Sequence, residues 1–338
     1  MASLPPVGIV IIGRNEGDRL RRCLASIRGA ANIVYVDSGS TDGSVAAAEA
    51  AGAAVVALDV DRPFTAARAR NAGLARLLEI SPECRYAQMV DGDCELAPGW
   101  IATAAEALDA DPTLAVVFGR RRERHPGASL YNAMCDEEWD VPIGPARACG
   151  GDALFRVEAL RQSGGYDPTL IAGEEPDLCW RMGAKGWRVR RLSAEMTLHD
   201  AAMTRFGQAH RRAMRAGHAF AELVWRHGTA ADPSWRRAVA STILWGITLP
   251  ALGIIGLIAA FAWLPALILP LGIAGLFALQ WLRISAAKRR AGAGGRYARG
   301  AAAVLLATKL SQAEGLVRFH VNRLRGRRGG LIEYKGAA

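Results

Sequence analysis

The chain has 338 residues, of which 51% are hydrophobic, so it is long and apolar enough for one large domain or two smaller ones with a sizeable core. Its six cysteines are scattered, and neither a C-x-x-C pair nor a histidine cluster at zinc-ligand spacing is present. This pattern excludes the common zinc motifs and favours a reduced, cytosolic domain.

The charge of the chain is basic and unevenly distributed. There are 42 Lys and Arg against 32 Asp and Glu, a net charge of +10. Such a charge suits nucleic acid, an anionic substrate or an anionic membrane surface. From Arg283 onward, however, Glu314 and Glu333 are the only acids, so much of the basic excess is C-terminal. We expect a membrane surface and no nucleic acid partner.

The first 93 residues alternate apolar runs with helical patterns. The first run, VGIVII, has no basic residue ahead of it, so we expect no signal peptide. Short runs rich in Val and Ile, each followed by a helix, predict a mostly parallel α/β sheet covered on both faces. The predicted strands are VGIVIIG (7–13), NIVYVDSGS (32–40), AAVVALD (53–59) and YAQMVDGD (86–93). The predicted helices are EGDRLRRCLASIRG (16–29), DGSVAAAEAAG (42–52) and FTAARARNAGLARLLEI (64–80).

Acidic segments follow three of these strands: GRNEGD (13–18), DSGSTDGS (37–44) and DGDCE (91–95). In a parallel sheet they share one rim, where ligands bind. Asp91 and Asp93 offer the oxygen ligands that Mg²⁺ and Mn²⁺ prefer, although an ordinary acidic turn is the alternative. Asp37 is suited to accept hydrogen bonds from a ribose or base, and Glu16 is placed similarly. Together the segments favour a nucleotide diphosphate site with a divalent cation.

The region after residue 100 is less regular, and we interpret residues 1–230 as one cytosolic domain. It contains GEEPDLCWR (173–181), in which Glu174 and Glu175 precede Pro176. These acids suit a helix N-terminus, where the macrodipole favours negative charge.

Residues 238–282 contain no Asp, Glu, Lys, Arg or His, a stretch of 45 residues. One crossing of a bilayer needs about 20 apolar residues, so two helices fit, at 241–262 and 265–283. Basic residues flank both ends, which predicts a hairpin over 238–283 with both flanks in the cytoplasm. A re-entrant hairpin and a buried helical pair of a soluble protein are the alternatives. The basic tail, 284–338, is expected to form an amphipathic helix in the headgroup layer.

Six segments in order resemble the glycosyltransferase family 2 enzymes of the GT-A fold, which are inverting and use nucleotide-sugar donors. The resemblance covers roughly residues 7–200. The segments are VGIVIIGRNEGDRLRRCLASI (7–27), VDSGSTDGS (36–44), AARARNAGL (66–74), MVDGDCEL (89–96), CGGDALFR (149–156) and GGYDPTLIAGEEPDLCWRMGAKGW (164–187).

The resemblance implies a Rossmann-like GT-A fold and a role for each matching residue. Glu175 is expected to be the general base, at a position where Asp is usual. Asp91 and Asp93 resemble the DxD pair that binds Mg²⁺ or Mn²⁺, with Asp93 the more direct ligand. His199 resembles a third metal ligand, although a lone histidine after a strand is often structural. The expected donor-binding residues are Asn15, Glu16, Asp37, Arg68, Arg70, Asn71 and Asp91, and those expected to support the acidic motif or the acceptor are Glu174, Asp177, Gly150 and Gly151.

The expected protein is therefore a glycosyltransferase of a bacterial inner membrane, with its catalytic domain facing the cytoplasm. The hairpin and the tail RLRGRRGGLIEYK (323–335) suggest an exopolysaccharide-type enzyme with a polyprenyl-diphosphate-linked acceptor. Transfer to polyprenyl phosphate itself, and a non-catalytic nucleotide-sugar-binding membrane protein, are the alternatives. A nucleotidyltransferase is disfavoured because GRNEGD carries Glu16 in place of a Gly-rich basic loop.

Overall fold

The computed structural model describes residues 7–27, 29–30, 32–59 and 61–327. They divide into two compact units: unit 1 comprises residues up to 126 and 135–202, and unit 2 comprises 127–134 and the residues after 202. This division differs from the predicted domain end at residue 230, because the helix over 206–227 packs within unit 2.

The strands of unit 1 are β1 Val7–Gly13, β2 Asn32–Asp37, β3 Ala54–Ala57, β4 Tyr86–Asp91, β5 Cys94–Leu96, β6 Leu114–Glu123, β7 Gly144–Ala146, β8 Ala153–Arg156 and β9 Arg188–His199. They form a single mixed sheet in the order β3-β2-β1-β4-β8-β6-β9-β5, with β7 paired to β9. The first four strands of this order are parallel, as predicted, whereas β8 runs antiparallel to β4. The sheet is thus a mixed α/β sheet.

The helices that follow the first strands lie where the apolar spacing predicts them. The core sits between these helices and the sheet, where strand side chains such as Val10 and Val36 are fully buried. A Cβ on Gly73 would overlap the side chain of Val10, so this glycine lets its helix lie close to the sheet. The helices are α1 Asp18–Ser26, α2 Ser44–Ala50, α3 Ala66–Ile80, α4 Trp100–Ala110, α5 Leu130–Glu138, α6 Val157–Gln162 and α7 Glu174–Gly183.

The sheet register brings the predicted rim together. On β1, Gly13 pairs with Asp37 of β2, and Ile12 pairs with Asp91 of β4. The carboxyl ends of the three strands therefore lie at one edge, as expected for parallel strands. This confirms that the three acidic segments share one rim.

Unit 2 is helical, and small residues let its helices approach closely. A Cβ on Gly217 or on Gly315 would overlap the backbone of the facing helix. Its helices are α8 Phe206–His227, α9 Pro233–Ile243, α10 Leu249–Ala260, α11 Ile268–Arg290 and α12 Gly295–Leu324. A π-helical turn, Leu244–Thr248, joins α9 to α10.

Two helical stretches of unit 2 are long and apolar enough to cross a membrane. They are Pro233–Ala260 and Leu264–Arg290, with mean hydropathy 2.2 and 1.8 and 11% of each apolar window buried. The break between them agrees with the prediction, although each stretch is longer than the predicted 241–262 and 265–283. The exposure of their side chains argues against the buried helical pair of a soluble protein, since Ile258 of the first stretch is 65% exposed and Ile268 of the second is 78% exposed.

The predicted basic tail is described as far as residue 327, as the end of α11 and as α12; residues 328–338 lie outside the described residues. The helix α12 packs against α8, and Leu316 and Phe319 are buried in a cluster with Ala221 of α8. Part of its apolar surface is thus covered by protein and is not available to a headgroup layer.

Candidate functional site

Arg70 lies at the centre of the predicted site. Its side chain is 3% exposed and makes ion pairs with three carboxylates. One guanidinium nitrogen lies 2.8 Å from Asp91, and the other lies 2.6 Å from Glu175 and 3.3 Å from Glu174. Folding thus connects the donor end of the predicted site, at the tip of β4, to the predicted base at the start of α7.

The predicted base sits among like charges. Burial and the neighbouring charge of Glu174 raise the pKa of Glu175 to about 7, although the positive charge of Arg70 opposes them. A carboxyl group with this pKa is partly ionised at neutral pH and holds a proton more strongly than an ordinary glutamate. Such a group is suited to accept a proton from a hydroxyl at neutral pH.

A second arginine, Arg121 of β6, contacts the other carboxylate oxygen of Asp91. Its guanidinium lies 3.2 Å from Asp91 and 3.4 Å from Asp152, and neither Arg121 nor Asp152 was singled out in the sequence. The buried Asp152 also accepts hydrogen bonds from the Asp91 amide, at 2.9 Å, and from the Thr197 hydroxyl, at 2.9 Å. Asp152 directly follows the two glycines of CGGDALFR, and this position is the feature of the sequence from which it could have been predicted.

His199 and Asp93 form the part of the site best suited to a cation. The Nε2 atom of His199 lies 3.3 Å from Asp93, and both side chains are buried. The Nδ1 atom lies 3.8 Å from Glu123, and the ring of Trp139 meets the imidazole edge-on with centroids 4.7 Å apart. Burial and the charge of Arg121 lower the pKa of His199. Its imidazole is therefore neutral at pH 7 and has a lone pair for a metal.

Glu123 was not predicted from the sequence. It is the last residue of the strand LAVVFGRRRE, and the other rim acids likewise stand at or just after the ends of strands. Burial acts to raise its pKa, but contacts with His199 and with the backbone N–H groups of Ala201 and His125 bring it below the usual value. Glu123 is therefore a buried carboxylate that stays ionised at neutral pH.

The residues fit a hard divalent cation. Ligand atoms of Asp93, Cys94 and His199 lie within 4.8 Å of one another, and a second group of this kind comprises Asp91, Cys94 and Asp152. Carboxylate oxygen and imidazole nitrogen suit Mn²⁺, and carboxylate oxygen suits Mg²⁺. Burial raises the pKa of the Cys94 thiol well above its usual value, so it stays protonated and is a poor ligand. Asp91 is engaged with two arginines, and its role as a metal ligand stays a prediction.

The glycine pair before Asp152 packs directly on the cluster. A Cβ on Gly151 would lie 2.6 Å from Arg70 and 2.7 Å from Asp91, whereas one on Gly150 would meet nothing closer than Arg121, at 3.8 Å. Gly151→Ala is therefore expected to destabilise the protein by about 1–3 kcal/mol through overpacking and to separate Arg70 from Asp91. Unfolding by urea measures the first effect, with Gly150→Ala as the matched control. Equal stability of the two variants would contradict this account.

Asp37 and Asn15 bind backbone in the two loops beside β1. One oxygen of Asp37 accepts hydrogen bonds from the amides of Gly39 and Ser40, each at 2.9 Å. The side chain of Asn15 accepts a hydrogen bond from the Thr41 amide at 2.7 Å, which links the loops after β1 and β2. The structure places both residues on the rim, and their contacts with a donor stay predictions.

Four other predicted residues have contacts away from the carboxylate cluster. Arg68 donates to the backbone carbonyls of Asp59 and Arg62, and Asn71 pairs through its amide with both backbone groups of Tyr166. Glu16 forms an ion pair with Arg19 at 3.0 Å, and Asp177 forms one with Arg181 at 2.7 Å. These contacts do not involve Arg70, and the functional roles of the four residues stay predictions.

The chain is similar to known glycosyltransferases. The family named Glycosyl transferase family 2 matches residues 8–163. A pre-mycofactocin glycosyltransferase, found in two strains of Mycobacterium tuberculosis, is 28% identical over 240 residues, which cover 67% of this chain and 49% of the relative. The chain thus spans about half the length of the curated relatives it matches.

A solved structure supports the fold. The mannosyltransferase PcManGT from Pyrobaculum calidifontis, in complex with GDP-Man and Mn²⁺, is 21% identical and superposes with a TM-score of 0.55. The match covers 96% of this chain and 88% of that one. At this identity the likeness shows the shared GT-A fold alone. Residues 8–163, which the family Glycosyl transferase family 2 matches, contribute most strands of the mixed sheet of unit 1, so this part of the chain is similar to a family 2 glycosyltransferase domain.

Proposed function

We propose that this protein is an inverting, metal-dependent glycosyltransferase that moves a sugar from a nucleotide-diphosphate donor to a membrane-associated acceptor. The observation that carries the proposal is the buried network in which Arg70 joins Asp91, at the rim of the sheet, to Glu175. Glu175, whose pKa is about 7, shares Arg70 with Asp91, and we expect the diphosphate to bind at Asp91. The family match supports a nucleotide-sugar donor.

The charge of the site supports a requirement for a cation. Four carboxylates contact the two guanidiniums of Arg70 and Arg121, and a fifth, Asp93, contacts His199 beside them in the site. The four are those of Asp91, Asp152, Glu174 and Glu175. A surplus of negative charge repels a diphosphate, so the donor needs a positive partner there. Bound by Asp93 and His199, Mg²⁺ or Mn²⁺ would supply that charge and stabilise the leaving group. Arg70 and Arg121 would contribute hydrogen bonds to phosphate oxygens.

Glu175 is the proposed general base. Its carboxylate would take the proton of an acceptor hydroxyl, whose oxygen attacks the anomeric carbon from the face opposite the diphosphate. The bond to the diphosphate breaks as the new glycosidic bond forms, so a single displacement inverts the configuration. Arg70, 2.6 Å from Glu175, would hold the carboxylate in place and stabilise its ionised form.

We also propose that the acceptor is lipid-linked, as a polyprenyl-diphosphate-linked sugar is, and that the protein resides in a bacterial inner membrane with unit 1 facing the cytoplasm. The two exposed apolar helical stretches of unit 2 and their basic flanks support this proposal. A role in exopolysaccharide synthesis remains part of the same proposal.

The test is a donor and acceptor screen on the detergent-solubilised full chain with Mn²⁺. UDP and GDP sugars would be supplied with a polyprenyl-diphosphate-linked sugar, with polyprenyl phosphate, or with no acceptor, and nucleotide release and product mass would be measured. We expect release of the nucleotide to depend on the lipid-linked sugar. Product on polyprenyl phosphate would identify the alternative acceptor, and donor binding without release under every condition would contradict the enzymatic proposal.

A further inference from the structure

Glu123 and His199 are neighbours in the sheet. Glu123 ends β6 and His199 ends β9, and the two residues pair in the parallel register of these strands. Paired residues on adjacent strands project to the same face, so the two side chains meet. Cys94 of β5 pairs with His199 on its other side. His199 thus lies on the central strand of three, and the orientation of its ring depends on the charged and hydrogen-bonding groups of the side chains beside it.

The carboxylate of Glu123 is fixed by backbone. One oxygen accepts a hydrogen bond from the His125 amide at 3.0 Å, and the other accepts one from the Ala201 amide at 2.9 Å. The residue is 3% exposed. A carboxylate held on both oxygens in this way cannot turn away, so it presents a permanent negative charge to the Nδ1 edge of His199, 3.8 Å away.

We propose that Glu123 is a positioning residue that orients the His199 imidazole, with Nδ1–H toward Glu123 and the lone pair of Nε2 toward the cation site at Asp93. A neutral imidazole has one N–H and one lone pair, and a carboxylate beside one nitrogen favours the proton there. The ring of Trp139, perpendicular to the imidazole at 87°, restricts rotation of the ring plane. The inference rests on the proposed function, since it requires His199 to bind a divalent cation.

A purely structural role is the competing explanation. Glu123 also satisfies two buried amides, so any change there can disturb the ends of β6 and β9 without acting through the histidine. A double-mutant cycle separates the two explanations, because a residue that acts through His199 has no effect on cation binding once His199 is removed.

The experiment measures Mn²⁺ affinity of the full chain in detergent, from the electron paramagnetic resonance signal of unbound Mn²⁺. The proteins are the wild type, Glu123→Gln, His199→Ala and the double variant. We expect Glu123→Gln to weaken Mn²⁺ binding by about 10–100-fold, as for other partners of metal-binding histidines, and the double variant to bind no more weakly than His199→Ala alone. Glu195→Gln, at an exposed acid of β9, is the matched control and is expected to bind Mn²⁺ as the wild type does.

Two results would overturn the inference: unchanged Mn²⁺ affinity in Glu123→Gln, or an equal loss in the presence and absence of His199. Wild-type affinity in His199→Ala would instead show that His199 is not a ligand, which refutes the metal site of the proposed function and the inference with it. Thermal unfolding without metal checks the fold of each variant. If Glu123→Gln does not fold, Glu123→Asp, which withdraws the carboxylate by one methylene, enters the same cycle with the same expectation.

Discussion

Replacing Glu175 with Gln is expected to lower kcat/KM for sugar transfer by about 10²–10⁴-fold, the usual contribution of a general base. The amide keeps the size of the side chain and can still accept a hydrogen bond from Arg70, which lies 2.6 Å from Glu175 in the wild type. It cannot take the proton of the acceptor. The measurement is the initial rate of nucleotide release with the acceptor present, together with donor affinity, which we expect to change little.

Two further variants make this prediction specific. Glu175→Asp restores a carboxylate of the type usual at this position in the family and is expected to recover part of the activity lost in Glu175→Gln. Glu158→Gln, at an exposed acid of α6, controls for the loss of a negative charge. Full activity of Glu175→Gln would remove Glu175 from the role of base.

The same assignment predicts the pH dependence of the wild type. Because burial and Glu174 raise the pKa of Glu175 to about 7, kcat/KM should rise with pH as the carboxyl loses its proton and level off above about pH 8. The direction follows from the role, since only the ionised form accepts a proton. A rate that is constant between pH 6 and pH 8 would contradict a base with this pKa.

Replacing Asp93 with Ala is expected to remove Mn²⁺ binding and transfer together. Asp93 is a buried carboxylate 3.3 Å from His199, and its loss removes the charged ligand of the candidate cation site. We expect the Mn²⁺ affinity to fall by more than about 100-fold. This is a larger loss than the roughly 10–100-fold that is typical when the removed residue only supports a metal ligand. Titration with Mn²⁺ and the initial rate at saturating Mn²⁺ measure the two effects.

The matched control for Asp93→Ala is Asp42→Asn. Asp42 belongs to a neighbouring acidic segment of the rim, but its carboxylate accepts hydrogen bonds from the amide and hydroxyl of Ser44 at the start of α2. This variant should bind Mn²⁺ normally. If Asp93→Ala retained wild-type affinity and rate, the cation site would have to lie elsewhere.

Much of the fold could be predicted because it follows from local patterns in the sequence. The alternation of Val- and Ile-rich runs with helical spacing places the first four strands and three helices within a few residues of their observed positions. The mixed second half of the sheet was not predicted in detail, because several of its strands are short. Strands β5 and β7 have three residues each, too few to show an alternation of apolar and polar side chains.

For the site, the sequence by itself determined the rim acids and the acidic motif, because each follows a strand or begins a helix within a few residues of a recognisable pattern. The tertiary structure decided which of them meet. Arg70 lies 104 residues from Glu174 in the chain, and Glu123 lies 76 residues from its sheet partner His199. Such contacts depend on strand order and register, which arise from packing of the whole sheet. For the same reason Arg121, Asp152 and Glu123 entered the site only when the strands were brought side by side.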